Sequence, residues 1–300
     1  MRLPEKVTII EVGPRDGFQN VKDFIATEDK KRIIDSLVSA GVQNMEITSF
    51  VHPKAIPQMA DAMELAKSIT YTDESLRKIA LVPNARGTQN AAACKVGEVS
   101  YVISASEAHN KANVNRTIEE SEAELRKIRE TEPGVKVRLD IATAFGCPYA
   151  GKIGKEQIYR LIGTGIQEGI EEIILCDTIG IANPRQTAVL AADVRQRYPD
   201  IRFTFHLHNT RGLGLANILA AMQEGIDSFE TSVGGLGGCP FAPGAAGNVA
   251  TEDLVNMLDH MEVSHGICQE KLLEAAAYVR QTVHAELTGN MLNACMYENI

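Results

Sequence analysis

Short β-branched runs alternate with longer amphipathic stretches from one end of the chain to the other. Val7-Thr8-Ile9-Ile10 opens the first strand. Thr27 stands where it can cap the next helix, Glu28 and Asp29 fall in its first turn, and Ile33, Ile34, Leu37 and Val38 form one apolar face. Gly41 ends that helix, and a second strand is predicted over 42–48. Further strands are predicted over 78–82, 99–105, 135–142, 172–176, 201–206 and 228–233. Helical patterns follow near 57–69, 86–96, 117–131, 155–168, 184–198, 212–224 and 251–261, with a further helix over roughly 269–287.

Eight β–α alternations in one run call for parallel strands with helical crossovers, and eight is the number at which such a sheet closes. The predicted fold class is therefore α/β, a (β/α)8 TIM barrel with an additional C-terminal helix. A doubly wound open sheet is the alternative. No Ser/Pro-rich linker divides the chain, so we expect a single domain over 1–300, with the barrel at about 6–262 and a C-terminal helical extension at about 263–300.

Composition narrows the function classes. The 300 residues are 44% hydrophobic and 23% charged, which is ordinary for a globular protein. Lys and Arg number 30 against 39 Asp and Glu, a net charge of −9 without a basic cluster, so nucleic acid and anionic membrane are not expected partners. No stretch approaches the ~20 apolar residues of a membrane helix. The N-terminus runs straight into a strand, the tail carries no peroxisomal signal, and the six cysteines show no CxxC spacing. We expect a cytoplasmic location.

In such a barrel the chemistry sits at the C-terminal ends of the strands. The first strand runs into Gly13-Pro14-Arg15-Asp16-Gly17, the second carries Glu46, the sixth ends in Asp177-Thr178, and the seventh ends in His206-Leu207-His208-Asn209. Alternate strand residues share a face, so both imidazoles can address one ion. Strands 1, 7 and 8 are neighbours across barrel closure. Asp16, His206, His208 and a residue after strand 8 can therefore converge as ligands for Mg²⁺ or Mn²⁺, with Zn²⁺ as the runner-up. Arg15 is placed to stabilise an oxyanion or enolate. Glu46 is a charge inside an apolar strand, and Arg15 is its natural partner. The segment from Gly234 to Gly244 reads as a lid carrying the thiol of Cys239. Asn248 either caps the helix that begins near Thr251 or serves as a ligand.

Several segments together resemble the 3-hydroxy-3-methylglutaryl-CoA lyases. They are Glu11-Val12-Gly13-Pro14-Arg15-Asp16-Gly17-Phe18-Gln19-Asn20, Ile47-Thr48-Ser49-Phe50-Val51, Phe145-Gly146-Cys147-Pro148-Tyr149, Asp177-Thr178-Ile179-Gly180, and the stretch from Gly234-Gly235-Leu236-Gly237-Gly238-Cys239-Pro240 to Leu254. The Arg-Asp and His-x-His elements are shared with isopropylmalate and citramalate synthases of the same barrel superfamily. The resemblance implies cleavage of 3-hydroxy-3-methylglutaryl-CoA to acetyl-CoA and acetoacetate with a divalent cation. It implies metal ligands Asp16, His206, His208 and Asn248, substrate contacts from Arg15 and Gln19, and catalytic roles for Arg15, Glu46, Asp177, His206 and Cys239. An acyl-CoA is the expected partner, and the expected assembly is a homodimer or higher homo-oligomer. Two positions depart from the lyase pattern: Asn209, where the lyases carry Asp, and Cys176, where they carry Gly. They leave open a lyase or aldolase for a related ester such as citramalyl-CoA. A condensing synthase would normally need a further C-terminal domain.

Overall fold

The computed structural model describes residues 3–72, 74–237 and 247–294. Eight parallel strands close in sequence order: β1 Thr8–Glu11, β2 Asn44–Ser49, β3 Arg77–Leu81, β4 Glu98–Ser104, β5 Lys136–Ala142, β6 Glu172–Asp177, β7 Arg202–Leu207 and β8 Ser228–Thr231. β8 returns to β1 with Ile10 opposite Glu230, and β6 pairs β7 with Cys176 opposite His206. The predicted (β/α)8 barrel is the fold.

Around it lie α1 Thr27–Ser39, α2 Ala62–Ser68, α3 Ala85–Ala93, α4 Glu107–Val114, α5 Ile118–Thr131, α6 Lys155–Gln167, α7 Pro184–Arg197, α8 Gly214–Gln223 and α9 Thr251–His260. The chain continues into α10 Gln269–Thr282 and α11 Asn290–Ala294. The expected single C-terminal helix is thus two, because Val283 turns extended at φ −99° and ψ 115°. Helix α4 was not foreseen. Its signals are Ser106, whose hydroxyl accepts the His109 N–H at 3.3 Å, and Asn115, which ends it at φ 54°. Thr27 does not cap α1. Ala26 holds that position, and the Thr27 hydroxyl donates to Asp61 at 2.9 Å instead.

Strand alternation decides where the core sits. Outward positions such as Ile9, Ile47, Leu139, Leu175, Phe205 and Phe229 join the helices in one continuous apolar shell. Each fully buried Leu or Ile there stabilises the fold by about 1.5–3 kcal/mol. The inward positions differ from the usual branched aliphatic filling of such barrels. Ile10, Val12 and Ile79 form a small separate apolar group. Much of the remaining bore is polar, including Arg138, Asp140, Glu230 and His206, all buried. Among the described residues, no helix is long and apolar enough to cross a membrane.

Candidate active site

The turn after β1 carries the first two groups. Residues Gly13–Gly17 form a π-helical turn in which the Val12 carbonyl accepts from the N–H groups of Arg15, Asp16 and Gly17. Only glycine fits at its two ends. A Cβ at Gly13 would lie 2.6 Å from Glu11 Oε1, and one at Gly17 would lie 2.9 Å from both Leu236 Cβ and Ser232 Oγ. Glu11 fastens this turn to the far side of the closure: Oε1 accepts from Gly13 N at 2.7 Å and Val233 N at 2.9 Å, and Oε2 accepts from Thr251 at 2.6 Å. Arg15 and Asp16 are therefore held against the base of the strand-8 loop.

Arg15 donates through Nε to Glu46 Oε2 at 2.5 Å and through Nη1 to Asp16 Oδ1 at 2.5 Å. Burial opposes its charge, but Glu46 and Asp16 outweigh burial and raise its pKa. Gln19 donates to Asp16 Oδ1 at 3.2 Å. From β7 and the residue beyond it, His206 and His208 bring their Nε2 atoms to 3.0 Å. Ligand atoms of Asp16, His206 and His208 all lie within 4.8 Å of one another, so the three could hold a metal ion.

The two imidazoles differ in their surroundings. His206 Nδ1 lies 2.9 Å from Glu230 Oε2, so its Nε2 is turned to the cluster. Burial works against the charged form of His206, but Glu230 and Asp16 prevail and raise its pKa. Burial, with His206 alongside, lowers His208 to about 3. His208 is therefore neutral at physiological pH. Asp16 is lowered despite burial, by Arg15 and both histidines. A carboxylate oxygen and two imidazole nitrogens aimed at one point, with the second imidazole neutral, fit a divalent cation.

Asn248 stands beside the three. It bridges to His208 by backbone pairing, and its Nδ2 donates to Asp16 Oδ2 at 2.7 Å and to the Leu236 carbonyl at 2.9 Å. The capping alternative is excluded, since Ala250 occupies the N-cap of α9. A half-turn of the amide exchanges Nδ2 for the oxygen a metal would need.

Asp177 stands at the end of β6. Its Oδ1 accepts from Ile181 N at 2.9 Å and its Oδ2 from Ala182 N at 3.1 Å, so it fastens the turn after β6. Cys176 faces the bore with His206, which sends the next side chain to the other side of the sheet. Burial raises Asp177 to about 6. Cys239 lies outside the described residues.

Sequence reasoning missed Glu230, Arg138 and Asp140. Glu230 Oε1 accepts from Arg138 Nη2 at 2.5 Å, and Arg138 Nε lies 3.5 Å from Glu172 Oε1. Burial alone would raise Glu230, but Arg138 and His206 bring it down to about 2. The signal was present: Arg138 and Asp140 alternate with apolar residues in β5, and Glu230 interrupts β8 as Glu46 interrupts β2.

A cavity of about 360 Å³ opens over this cluster, lined by Arg15, Asp16, His206 and His208 together with Asp140 and Cys176. Of the two departures from the lyase pattern, only Cys176 lines it. Asn209 instead accepts from Gly214 N at 3.0 Å and steadies the start of α8.

A family model described as HMGL-like matches residues 6–279. The chain is 44% identical over 294 residues to the hydroxymethylglutaryl-CoA lyase YngG of Bacillus subtilis, covering 97% of this chain and 98% of that one. It is 40% identical over 290 residues to the (R)-citramalyl-CoA lyase of Chloroflexus aurantiacus, covering 93% and 92%. The solved structure of an HMG-CoA lyase from Acinetobacter baumannii, in complex with coenzyme A and 3-methylmalate, superposes with a TM-score of 0.92 at 37% identity, covering 97% of this chain and 95% of that one.

Proposed function

The chain belongs to the HMGL-like family, and from that premise we propose that it is a divalent-metal-dependent carbon–carbon lyase cleaving 3-hydroxy-3-methylglutaryl-CoA to acetyl-CoA and acetoacetate by a retro-Claisen reaction. The observation that carries this is the meeting of Asp16, His206 and His208 beside Arg15 in one cavity. Relatives named as such lyases, at 40–44% identity over nearly the whole chain, support the same reading.

Asp16, His206 and His208, with Asn248 next to them, would hold the cation, and we favour Mg²⁺ or Mn²⁺ for this donor set. When bound, the cation supplies Lewis acidity and a template for the substrate's hydroxyl and carbonyl oxygens. The rest is work for the chain's own residues. Asp16 is the group placed to accept the hydroxyl proton, and Glu230 behind His206 keeps that imidazole's Nε2 turned to the cluster. As the C3–O bond becomes a carbonyl, the C2–C3 pair passes to the thioester as an enolate. Arg15, locked between Glu46 and Asp16, presents its charge to that developing oxyanion. Gln19 steadies Asp16 at the same edge. The enolate then takes a proton to give acetyl-CoA, a role the family resemblance assigns to Cys239.

Cleavage of citramalyl-CoA is the second reading, favoured by Cys176 in the cavity wall and by the citramalyl-CoA lyase among the relatives. The test is incubation with Mg²⁺ and a panel of 3-hydroxyacyl-CoA esters, following acetyl-CoA. Acetoacetate as co-product supports the first reading and pyruvate the second. No acetyl-CoA from any ester would overturn both.

A further inference from the structure

The loop that follows β5 is closed around a thiol. Cys147 N donates to the Gly151 carbonyl at 2.8 Å, and Gly151 N donates back to the Cys147 carbonyl at 2.9 Å. Pro148, Tyr149 and Ala150 form the loop between them. Cys147 Sγ accepts from Tyr149 N and from Ala150 N, each at 3.3 Å, and Pro148 has no N–H to place. The same thiol donates to Ser106 Oγ at 3.0 Å. Ser106 is the N-cap of α4, and its hydroxyl oxygen also accepts from His109 N. Cys147 and Ser106 are both buried, so solvent competes little for these bonds. One thiol therefore ties the loop after β5 to the start of α4, with its proton and its sulfur both engaged.

The two segments it joins form part of the cavity's edge. His109, Ala112, Asn113 and Val114 line the cavity from α4, and Tyr149 lines it from the loop. His206 and His208 are buried, whereas Tyr149 is 55% exposed and Ala112 and Asn113 are exposed as well. Tyr149 thus stands where the cavity meets solvent, with its ring tilted against His109 at a centroid distance of 6.2 Å. A cavity of about 360 Å³ is at the small end of ligand sites, so it takes the acyl end and leaves the rest of a CoA thioester to pass over this edge. An aromatic ring fixed at the edge offers a large apolar contact at low conformational cost, whereas a ring on a loose loop must be ordered at each binding event.

We propose that Cys147 is a positioning residue for acyl-CoA binding: its thiol holds the Tyr149 loop against α4 so that the Tyr149 ring packs on the CoA arm of the bound thioester. A cysteine that only filled space would behave differently on substitution. Alanine would then be the milder replacement, because serine would add a polar group to a buried place. A thiol that acts through its hydrogen bonds reverses that order, since serine keeps the donor and the acceptor and alanine keeps neither.

The inference rests on the acyl-CoA part of the lyase reading, and the experiment reads binding apart from cleavage. KM and kcat are measured with the ester the wild type cleaves, and the Kd of free coenzyme A is measured by calorimetry. Cys147→Ala should raise both KM and Kd roughly 5- to 20-fold, with kcat within about threefold of wild type. Cys147→Ser should bring both back to within about threefold of wild type. Tyr149→Ala, at an exposed position that leaves the fold intact, should give the same rise as Cys147→Ala. The two combined should add less than about twofold to either alone, since they act through one contact. Unchanged KM and Kd in Tyr149→Ala would overturn the inference, as would a serine variant no better than the alanine one or a loss confined to kcat. A wild type that binds coenzyme A and cleaves no ester would sink the lyase reading alone, with the Kd values still deciding this one. A wild type that does not bind coenzyme A would sink both.

Discussion

The two ends of the barrel bore are built from the same residue types and are satisfied to different degrees. At the N-terminal end, Arg77 holds both oxygens of Glu98 and one of Glu172, while Thr204 donates to the other Glu172 oxygen at 2.8 Å. Glu98 and Glu172 thus have every oxygen engaged. At the C-terminal end, Glu46 Oε1, Asp140 Oδ1 and His208 Nδ1 are buried without partners. A line of alternating charge joins the ends: Arg77, Glu172, Arg138, Glu230 and His206 follow one another through the bore. The floor's carboxylates are all engaged, although Arg138 Nη1, between the two ends, is also buried without a hydrogen bond. The mouth keeps some for a ligand, which is where unmet polar groups in a native fold are expected.

Removing what the mouth is built to hold should have the largest effect. Exhaustive chelation should abolish turnover, and Mg²⁺ or Mn²⁺ should restore it; full activity in demetallated protein would erase the distinction between the ends. Arg15→Met removes one preorganised oxyanion donor and should lower kcat by roughly 10²–10³ with a much smaller change in KM. A change confined to KM would reduce Arg15 to a binding group.

The floor should respond the other way. Arg77→Met strands two carboxylates and should lower unfolding free energy by roughly 1–3 kcal/mol in urea titration, with kcat within about threefold of wild type. A kcat loss as deep as that of Arg15→Met would show that the charge line works as one catalytic unit.

A smaller effect tests the backing of the mouth. Glu252 is shut off from solvent: its Oε2 accepts from Gly234 N at 3.0 Å, and burial raises its pKa from 4.5 to about 8. The folded state then binds more protons than the unfolded one between those values. Stability from this group is present at low pH and falls as pH rises through about 4.5 to 8. Glu252→Gln should flatten that slope, gaining a few degrees of Tm over wild type at pH 8 relative to pH 5, of the order expected for ~1–2 kcal/mol. Parallel Tm–pH curves for the two proteins would refute the assignment.

The strands and most helices were legible because burial of alternate or helically spaced apolar residues is a local pattern. His206-Leu207-His208, and Arg15 next to Asp16, were legible for a related reason: short spacings fix which face a side chain takes. Glu46 could be paired with Arg15 because a lone charge in an apolar strand demands a partner. The same logic applied to Glu230 and Arg138, but their partners lie 92 residues apart, and sequence alone does not say which of several buried charges meet.

What the sequence determined by itself is the alternation that closes the barrel and the rim on which its ligating residues stand. Only the tertiary structure decided that Asp177 takes up the N–H groups of the turn after β6, that Asn248 leans on Asp16 instead of capping α9, and that Asp140 Oδ1 is left unpaired. The physical reason is that a side chain's face follows from its own strand, whereas its partner depends on how distant strands come into register around the closed bore.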